Sequence, residues 1–331
     1  MLAPLQKERE MPHSTSPRPP LLVLVVPCFN EEEILPGTMT ALAEVLASCA
    51  SRGLVREDSY VLYVDDGSSD ATWRLLESRH AHDPQCRAIR FAANAGHQNA
   101  VWAGMITARD WGADCIISLD ADLQDDIGVI PEMLAQYAEG KEIVYGVRCD
   151  RSTDTRLKRG TAHLFYALMR RLKTPLIPDH ADYPLVGRRV LEVLDAFPEQ
   201  GLFLRGLFPS LGFSSGRVYY TRRERAAGKS KYPFWKMVCF AWKGITACSP
   251  TPLRLSAFMG LLCMCTALAY SAVSLLKYLE GETIPGWTSL IIVVLLLGSV
   301  QLFCLALLGE YVSKIFNEVK RRPRYLVEKT L

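Results

Sequence analysis

The chain has 331 residues, 49% of them hydrophobic and 22% charged, enough for one catalytic domain of ordinary size and a further apolar part. A formal net charge of +3 carries no nucleic-acid signature, and no nucleic acid is expected as a partner. The ten cysteines form no CxxC pair and several lie in apolar runs, which argues against thiolate metal binding and for small apolar packing in a reducing compartment.

Residues 1–19 are polar, aperiodic and without the apolar core of a signal peptide, so a disordered tail is expected. Leu21 to Val26 reads as a central strand, apolar on both faces as parallel strands are. It ends in Pro27-Cys28-Phe29-Asn30-Glu31-Glu32-Glu33, where Asn30 is expected to cap a helix that carries acids in its first turn and runs to about residue 50. A second strand, Tyr60 to Val64, leads into Asp65-Asp66-Gly67-Ser68-Ser69-Asp70 and a helix near 71–81. A third, Ala88 to Phe91, leads into Asn94-Ala95-Gly96-His97-Gln98-Asn99 and a helix ending near Trp111. The alternation implies a parallel sheet with helices on both faces, in which ligands bind beyond the carboxyl ends of the strands.

The fourth strand, ending at Cys115-Ile116-Ile117, opens into Ser118-Leu119-Asp120-Ala121-Asp122-Leu123-Gln124-Asp125-Asp126. Alternation along an extended segment would point Asp120, Asp122 and Gln124 to one side, where three oxygen ligands suit a hard cation that keeps positions open for phosphate. The plain alternative is a solvated acidic turn. An EF-hand does not fit, because Asp125 stands where that loop needs Gly and Pro131 where it needs Glu.

After a helix near 128–138 and a strand from Glu142 to Gly146, residues 148–173 carry basic side chains among apolar ones at helical spacing. Either a basic amphipathic helix near anionic headgroups or a solvated helix face would give this pattern. The region 213–236 is basic again, and Gly228 and Ser230 suit a loop that folds over an anionic ligand. Phe234, Trp235, Phe240 and Trp242, with Lys236 and Lys243, read as interfacial. Residues 255–276 and 283–309 lack charge, and each is long enough to cross a bilayer. Lys and Arg crowd the outer flanks of this pair, which places both flanks on the cytoplasmic side. The expected order is a catalytic domain over 20–232, juxtamembrane helices over 233–254, two transmembrane helices over 255–309 and a cytoplasmic tail over 310–331.

Taken together, Val26-Pro27-Cys28-Phe29-Asn30-Glu31, Val64-Asp65-Asp66-Gly67-Ser68-Ser69-Asp70, Asn94-Ala95-Gly96-His97 and Asp120-Ala121-Asp122-Leu123-Gln124-Asp125 resemble a family 2 glycosyltransferase of the polyprenyl-phosphate type. Leu204-Arg205-Gly206, Gly228-Lys229-Ser230-Lys231-Tyr232, Gly309-Glu310-Tyr311 and the run Glu318 to Tyr325 extend the resemblance from about residue 21 to 328. That group includes bactoprenol glucosyltransferases and, more distantly, dolichol-phosphate mannose synthases.

The resemblance implies a GT-A fold, Rossmann-like and mostly parallel, and an inverting transfer of one sugar from a nucleotide sugar to polyprenyl phosphate at the cytoplasmic face of the membrane. It implies that Pro27, Phe29, Glu31 and Asp65 hold base and ribose, and that Asp120, Asp122 and Gln124 bind Mg or Mn with the diphosphate. Arg148 and Arg159 would meet the lipid phosphate, and Arg205, Arg225 and Lys231 would close over the anionic substrates. Asp122, Asp182 and Arg205 are the expected catalytic residues. A homo-oligomer is implied by resemblance alone. UDP-glucose is the leading donor; GDP-mannose, a glycan acceptor, and a non-catalytic nucleotide-binding adaptor are the alternatives. One departure stands out: Ala181-Asp182-Tyr183-Pro184-Leu185 replaces the family's Gly-Asp-Phe-Arg-Leu, so the acid keeps its place and its neighbours change.

Overall fold

In the computed structural model, which describes residues 18–149, 180–197, 199, 204–221, 251–279 and 286–331, the first strand runs Leu22–Cys28 (β1) and is buried along its whole length. Period-two alternation divides it: Leu22, Leu24 and Val26 join one apolar core, Val23 and Val25 the other. A strand covered on both faces belongs in the middle of a layered sheet. It pairs in parallel with β2 (Tyr60–Asp65) and β4 (Cys115–Ser118), and β2 pairs in parallel with β3 (Cys86–Phe91). Helix α1 (Leu35–Ser51) covers one face with Leu35, Met39, Leu42, Leu46 and Cys49, a stripe at helical spacing, and α2 (Thr72–His80) lies beside it. Helix α3 (His97–Asp110) covers the other face with Ala100, Val101, Ala103, Met105 and Ala108 among others, and Gly104 lets it approach so closely that a Cβ there would strike Val25.

Among the described residues the sheet has eight strands in the order β7-β5-β6-β4-β1-β2-β3-β8, where β5 is Ile143–Arg148, β6 His180–Gly187, β7 Ser215–Tyr220 and β8 Val327–Thr330. Of these strands, β6 and β8 run antiparallel to their neighbours. The mostly parallel sheet with helices on both faces is the expected GT-A architecture. Its strand order reverses between β1 and β4, and a crevice opens at the carboxyl ends of the strands at such a point. Helix α4 (Ile130–Ala138) precedes β5; the short α5 (Arg188–Val193) follows β6 and α6 (Leu204–Ser210) precedes β7.

Two local expectations fail. Helix α1 begins at Leu35 with Ile34 at its N-cap position and no acid in its first turn. Asn30 instead has φ 56° and its side-chain oxygen accepts the Ser69 N–H at 2.9 Å, so it ties two loops together. The segment from Asp120 is also not extended: β4 stops at Ser118, Leu123 has φ 46°, and its N–H reaches the Asp120 carbonyl at 3.3 Å. Period-two alternation therefore does not govern the direction of Asp120, Asp122 and Gln124.

Helices α7 (Thr251–Leu279) and α8 (Trp287–Lys320) pack on each other. Leu296–Lys320 is long and apolar enough to cross a membrane, and α7 contains the shorter apolar stretch Ser256–Tyr270. The last residues do not form a free tail. Arg321, at φ 47°, ends α8, and six residues later β8 enters the catalytic sheet beside β3. Residues 1–17 of the tail expected over 1–19, the basic segment holding Arg159, the loop holding Arg225 and Lys231, and residues 233–250 of the juxtamembrane segment expected over 233–254 lie outside the described residues.

Candidate active site

The loops after β1, β2 and β3 are stitched to one another at the crevice. Asn30 N–H donates to the Ser68 hydroxyl at 3.0 Å and Glu31 N–H to the Thr72 hydroxyl at 2.9 Å. Glu32 accepts the Ala71 N–H at 2.8 Å, at the start of α2, where a carboxylate is favoured. This leaves Phe29, 46% exposed, standing out from the end of β1. An apolar ring held outward by a fixed loop suits a flat ligand. Asp65 is fully buried; one oxygen accepts the Ser68 N–H at 2.9 Å and the other faces Arg90 Nε at 3.4 Å.

Asp66 fixes the next loop. Its two oxygens accept the N–H groups of Ala95 at 2.6 Å and Gly96 at 2.9 Å. Burial holds its carboxyl above the ordinary carboxylate range, against the pull of those two donors. Gly67, at φ 71°, lets the loops meet, since a Cβ there would lie 2.8 Å from the backbone of Ala93 and Asn94. The clamped loop delivers His97, first residue of α3, to 3.7 Å from Asp120.

Asp120 and Asp122 lie on the turn that follows β4. Thr38 of α1 donates to the Ala121 carbonyl at 2.6 Å, and Asp122 accepts the Gln124 N–H at 3.3 Å. The three expected cation ligands are not presented alike: the Asp120 side chain is 40% exposed, whereas Gln124 is 5% exposed. Desolvation raises the Asp120 carboxyl above its ordinary range; His97 opposes this, and Asp182, Asp125 and Asp122 reinforce it. Such a gathering of negative charge fits a divalent cation. Among the described residues no group of three or more His, Cys, Asp or Glu side chains is placed to hold a metal ion. Two carboxylates leave a hard divalent cation room for water and substrate phosphate.

The far wall is made by two arginine–carboxylate pairs. Arg205 of α6 reaches Asp182 of β6 with Nε at 2.7 Å and Nη2 at 2.8 Å. Arg148, at the end of β5, donates to Asp125 at 3.1 Å, and the Tyr220 hydroxyl donates to the same oxygen at 2.6 Å. Burial pulls the Arg148 guanidinium down in pKa, and Asp125 and Tyr220 more than offset it. Arg148, expected to meet a lipid phosphate, thus already holds a carboxylate of the acidic turn.

The substituted neighbours of Asp182 have a clear structural place. Pro184 sits opposite Tyr145 where the β5–β6 register slips between Tyr145 and Val147, and a sheet admits proline at such a bulge. Tyr183 is fully buried, lies against Gly146 where a larger residue would collide, and donates its hydroxyl to the Asp126 carbonyl at 3.2 Å. Neither change turns Asp182 away from the crevice. Asp66, Asp125 and Tyr220 were given no role in the sequence; the first two lie within the quoted acidic motifs, and no signal marked Tyr220.

The profile described as "Glycosyl transferase family 2" matches residues 23–193, and that described as "GtrB C-terminal hairpin" matches 251–315. The "Uncharacterized glycosyltransferase YkoT" of Bacillus subtilis is 46% identical over 309 residues, covering 93% of this chain and 91% of that protein. The "SfII prophage-derived bactoprenol glucosyl transferase" of Shigella flexneri is 37% identical, covering 93% of this chain and 97% of that protein. Among solved structures, "Mannosyltransferase PcManGT from Pyrobaculum calidifontis in complex with GDP-Man and Mn2+" matches with TM-score 0.44 at 16% identity, covering 87% of each chain.

Proposed function

The chain belongs to glycosyltransferase family 2, and on that premise we propose that it moves one sugar, with inversion, from a nucleotide sugar to polyprenyl phosphate at the cytoplasmic face of a membrane. The observation that carries this reading is the crevice beyond β1, β2 and β4, where the acidic turn at Asp120 and Asp122 faces His97 on one side and the Asp182–Arg205 pair on the other. The name of the Shigella relative supports a bactoprenol acceptor and glucose as the sugar, with UDP-glucose the proposed donor.

Phe29 stacks on the base in this account, with Pro27, Glu31 and Asp65 framing it and the ribose. Asp120 and Asp122 would hold Mg or Mn; Gln124, less accessible, is the weakest of the three expected ligands. When bound, the cation neutralises the charge that gathers on the leaving diphosphate. Asp182, oriented by Arg205, positions the acceptor or the sugar. The acceptor needs no strong general base, because a phosphate monoester with a second pKa of about 6 is mostly dianionic at neutral pH. The harder task is to bring two anions together. Arg205 supplies positive charge at the far wall, and Arg148, Arg159, Arg225 and Lys231 are proposed to add to it.

The sheet itself supports a two-span hairpin. β8 joins the same sheet as β1 to β7, which favours a hairpin of α7 and α8 that crosses twice and returns the chain to the side it left. A prenol tail then stays in lipid while its phosphate meets the crevice. Oligomerisation remains proposed on resemblance alone.

The test is transfer of label from UDP-glucose, GDP-mannose or another nucleotide sugar to purified polyprenyl phosphate by the full-length protein with Mg or Mn. A lipid-linked monosaccharide supports the reading. A polymer, or nucleotide binding without turnover, contradicts it.

A further inference from the structure

We infer that Arg90 is a positioning residue for the donor-nucleotide site, and that the strand returning from the membrane, β8, helps to hold it there. Arg90 lies on β3, in register with Asp65 of the neighbouring strand β2. Its Nε is 3.4 Å from Asp65 Oδ2 and its Nη2 donates to the Ser68 carbonyl at 3.2 Å. Ser68 in turn donates its N–H to Asp65 Oδ1 at 2.9 Å and accepts the Asn30 N–H at 3.0 Å. One guanidinium therefore ties both ends of the turn that joins Asp65 to the loop displaying Phe29. Asp65 is fully buried, and a buried carboxylate deprived of its cation is costly, so the loop geometry depends on this pair.

The contact from β8 arises from an irregularity. Ile89 pairs with Thr330 and Arg90 with Lys329, but Phe91 pairs with Val327, so Glu328 is an extra residue in the strand. A bulge of this kind re-aims a side chain, and Glu328 comes to 3.9 Å from Arg90 Nε. Lys329 lies 3.6 Å from Glu77, which accepts from the Trp73 indole, and Trp73 lies beneath the Arg90 guanidinium at 5.8 Å. The approach to β8 is anchored as well. Arg324 sits over Trp102 at 4.4 Å and donates to the Phe197 carbonyl at 2.6 Å, and the Tyr325 ring stacks on Phe91 at 4.8 Å. The residues after α8 thus form a brace that ends on the cation behind Asp65.

This inference rests on the proposal that Asp65 frames the nucleotide, and its test separates the two. The full-length enzyme in lipid nanodiscs is titrated calorimetrically with UDP and with GDP in the presence of Mn, and the tighter nucleotide is used throughout. The variants are Arg90→Met, Arg90→Lys, Glu328→Gln and Asp65→Asn, each with its melting temperature and its turnover at saturating donor. Arg90→Met is expected to weaken nucleotide binding about 10-fold or more, with saturated turnover within about twofold of wild type. Arg90→Lys should recover part of the affinity, and Glu328→Gln should lose about two- to threefold. Weakened binding by Asp65→Asn with unchanged binding by Arg90→Met overturns the inference alone. Unchanged binding by Asp65→Asn overturns the assignment of Asp65 and the inference with it. Equal losses in Arg90→Met and Arg90→Lys that follow a falling melting temperature also overturn it, because Arg90 would then only hold the fold.

Discussion

Arg205 grips Asp182 with one nitrogen on each carboxylate oxygen, at 2.7 and 2.8 Å. A two-point guanidinium clasp fixes a carboxylate in space as well as in charge, which a lysine cannot reproduce. Asp182 is thereby suited to orient a substrate rather than to collect its proton.

Asp182→Asn and Arg205→Lys should therefore lower turnover while leaving donor affinity nearly intact. The expected loss is on the order of 100-fold, the scale of a misplaced reacting group. Single-turnover kinetics beside nucleotide titration separates the two quantities. Full activity of Asp182→Asn would remove that residue from the mechanism.

Gly67→Ala should damage fold and site together. The position has φ 71°, and its new Cβ would meet the backbone of Ala93 and Asn94 at 2.8 Å. Strain of about 1–3 kcal/mol is expected, and the shift of the 93–97 loop should draw His97 away from Asp120. Thermal melting and turnover should both fall; a variant that melts and turns over like the wild type would show that the loops do not meet this way.

Tyr220→Phe removes the hydroxyl that donates to buried Asp125 at 2.6 Å. A hydrogen bond to a charged group contributes roughly 1.5–3 kcal/mol, so a lower melting temperature is expected. Arg148 still faces Asp125 at 3.1 Å, and Arg148→Ala with Tyr220→Phe should cost more than the sum of the two alone. Simple additivity in that double-mutant cycle would argue against a shared network.

Cation binding should depend on pH through Asp120. Desolvation and neighbouring carboxylates raise its pKa, so protons compete with the cation at pH values where an ordinary carboxylate is already ionised. Affinity for Mn should climb as pH rises above about 4, the ordinary carboxylate value, and then level off. Asp120→Asn should bind weakly and flatten the climb. A wild-type affinity independent of pH would contradict the assignment.

Much of this arrangement was readable in the chain. The unbroken apolar runs of β1 and β2 announced a central parallel sheet, and the polar residues after each run marked the crevice. The sheet beyond β5 was not readable, for reasons that differ by strand. Pro184 disguised β6, because only the bulge opposite Tyr145 makes a central proline tolerable. All four residues of β8 are exposed, so no apolar alternation betrays it. Asn30 looked like a helix cap because its composition suits one; its partner, Ser69, is distant in sequence. Arg148 was placed at the lipid phosphate by resemblance, and its contact with Asp125 was hidden because it too is non-local.

The most direct measurement is transfer from labelled nucleotide sugar to purified polyprenyl phosphate by Asp122→Ala beside wild type, across a wide range of Mg and Mn. The account predicts lipid-linked sugar from the wild type alone, with weaker donor binding by the variant at every concentration of metal. Normal transfer by Asp122→Ala would contradict it.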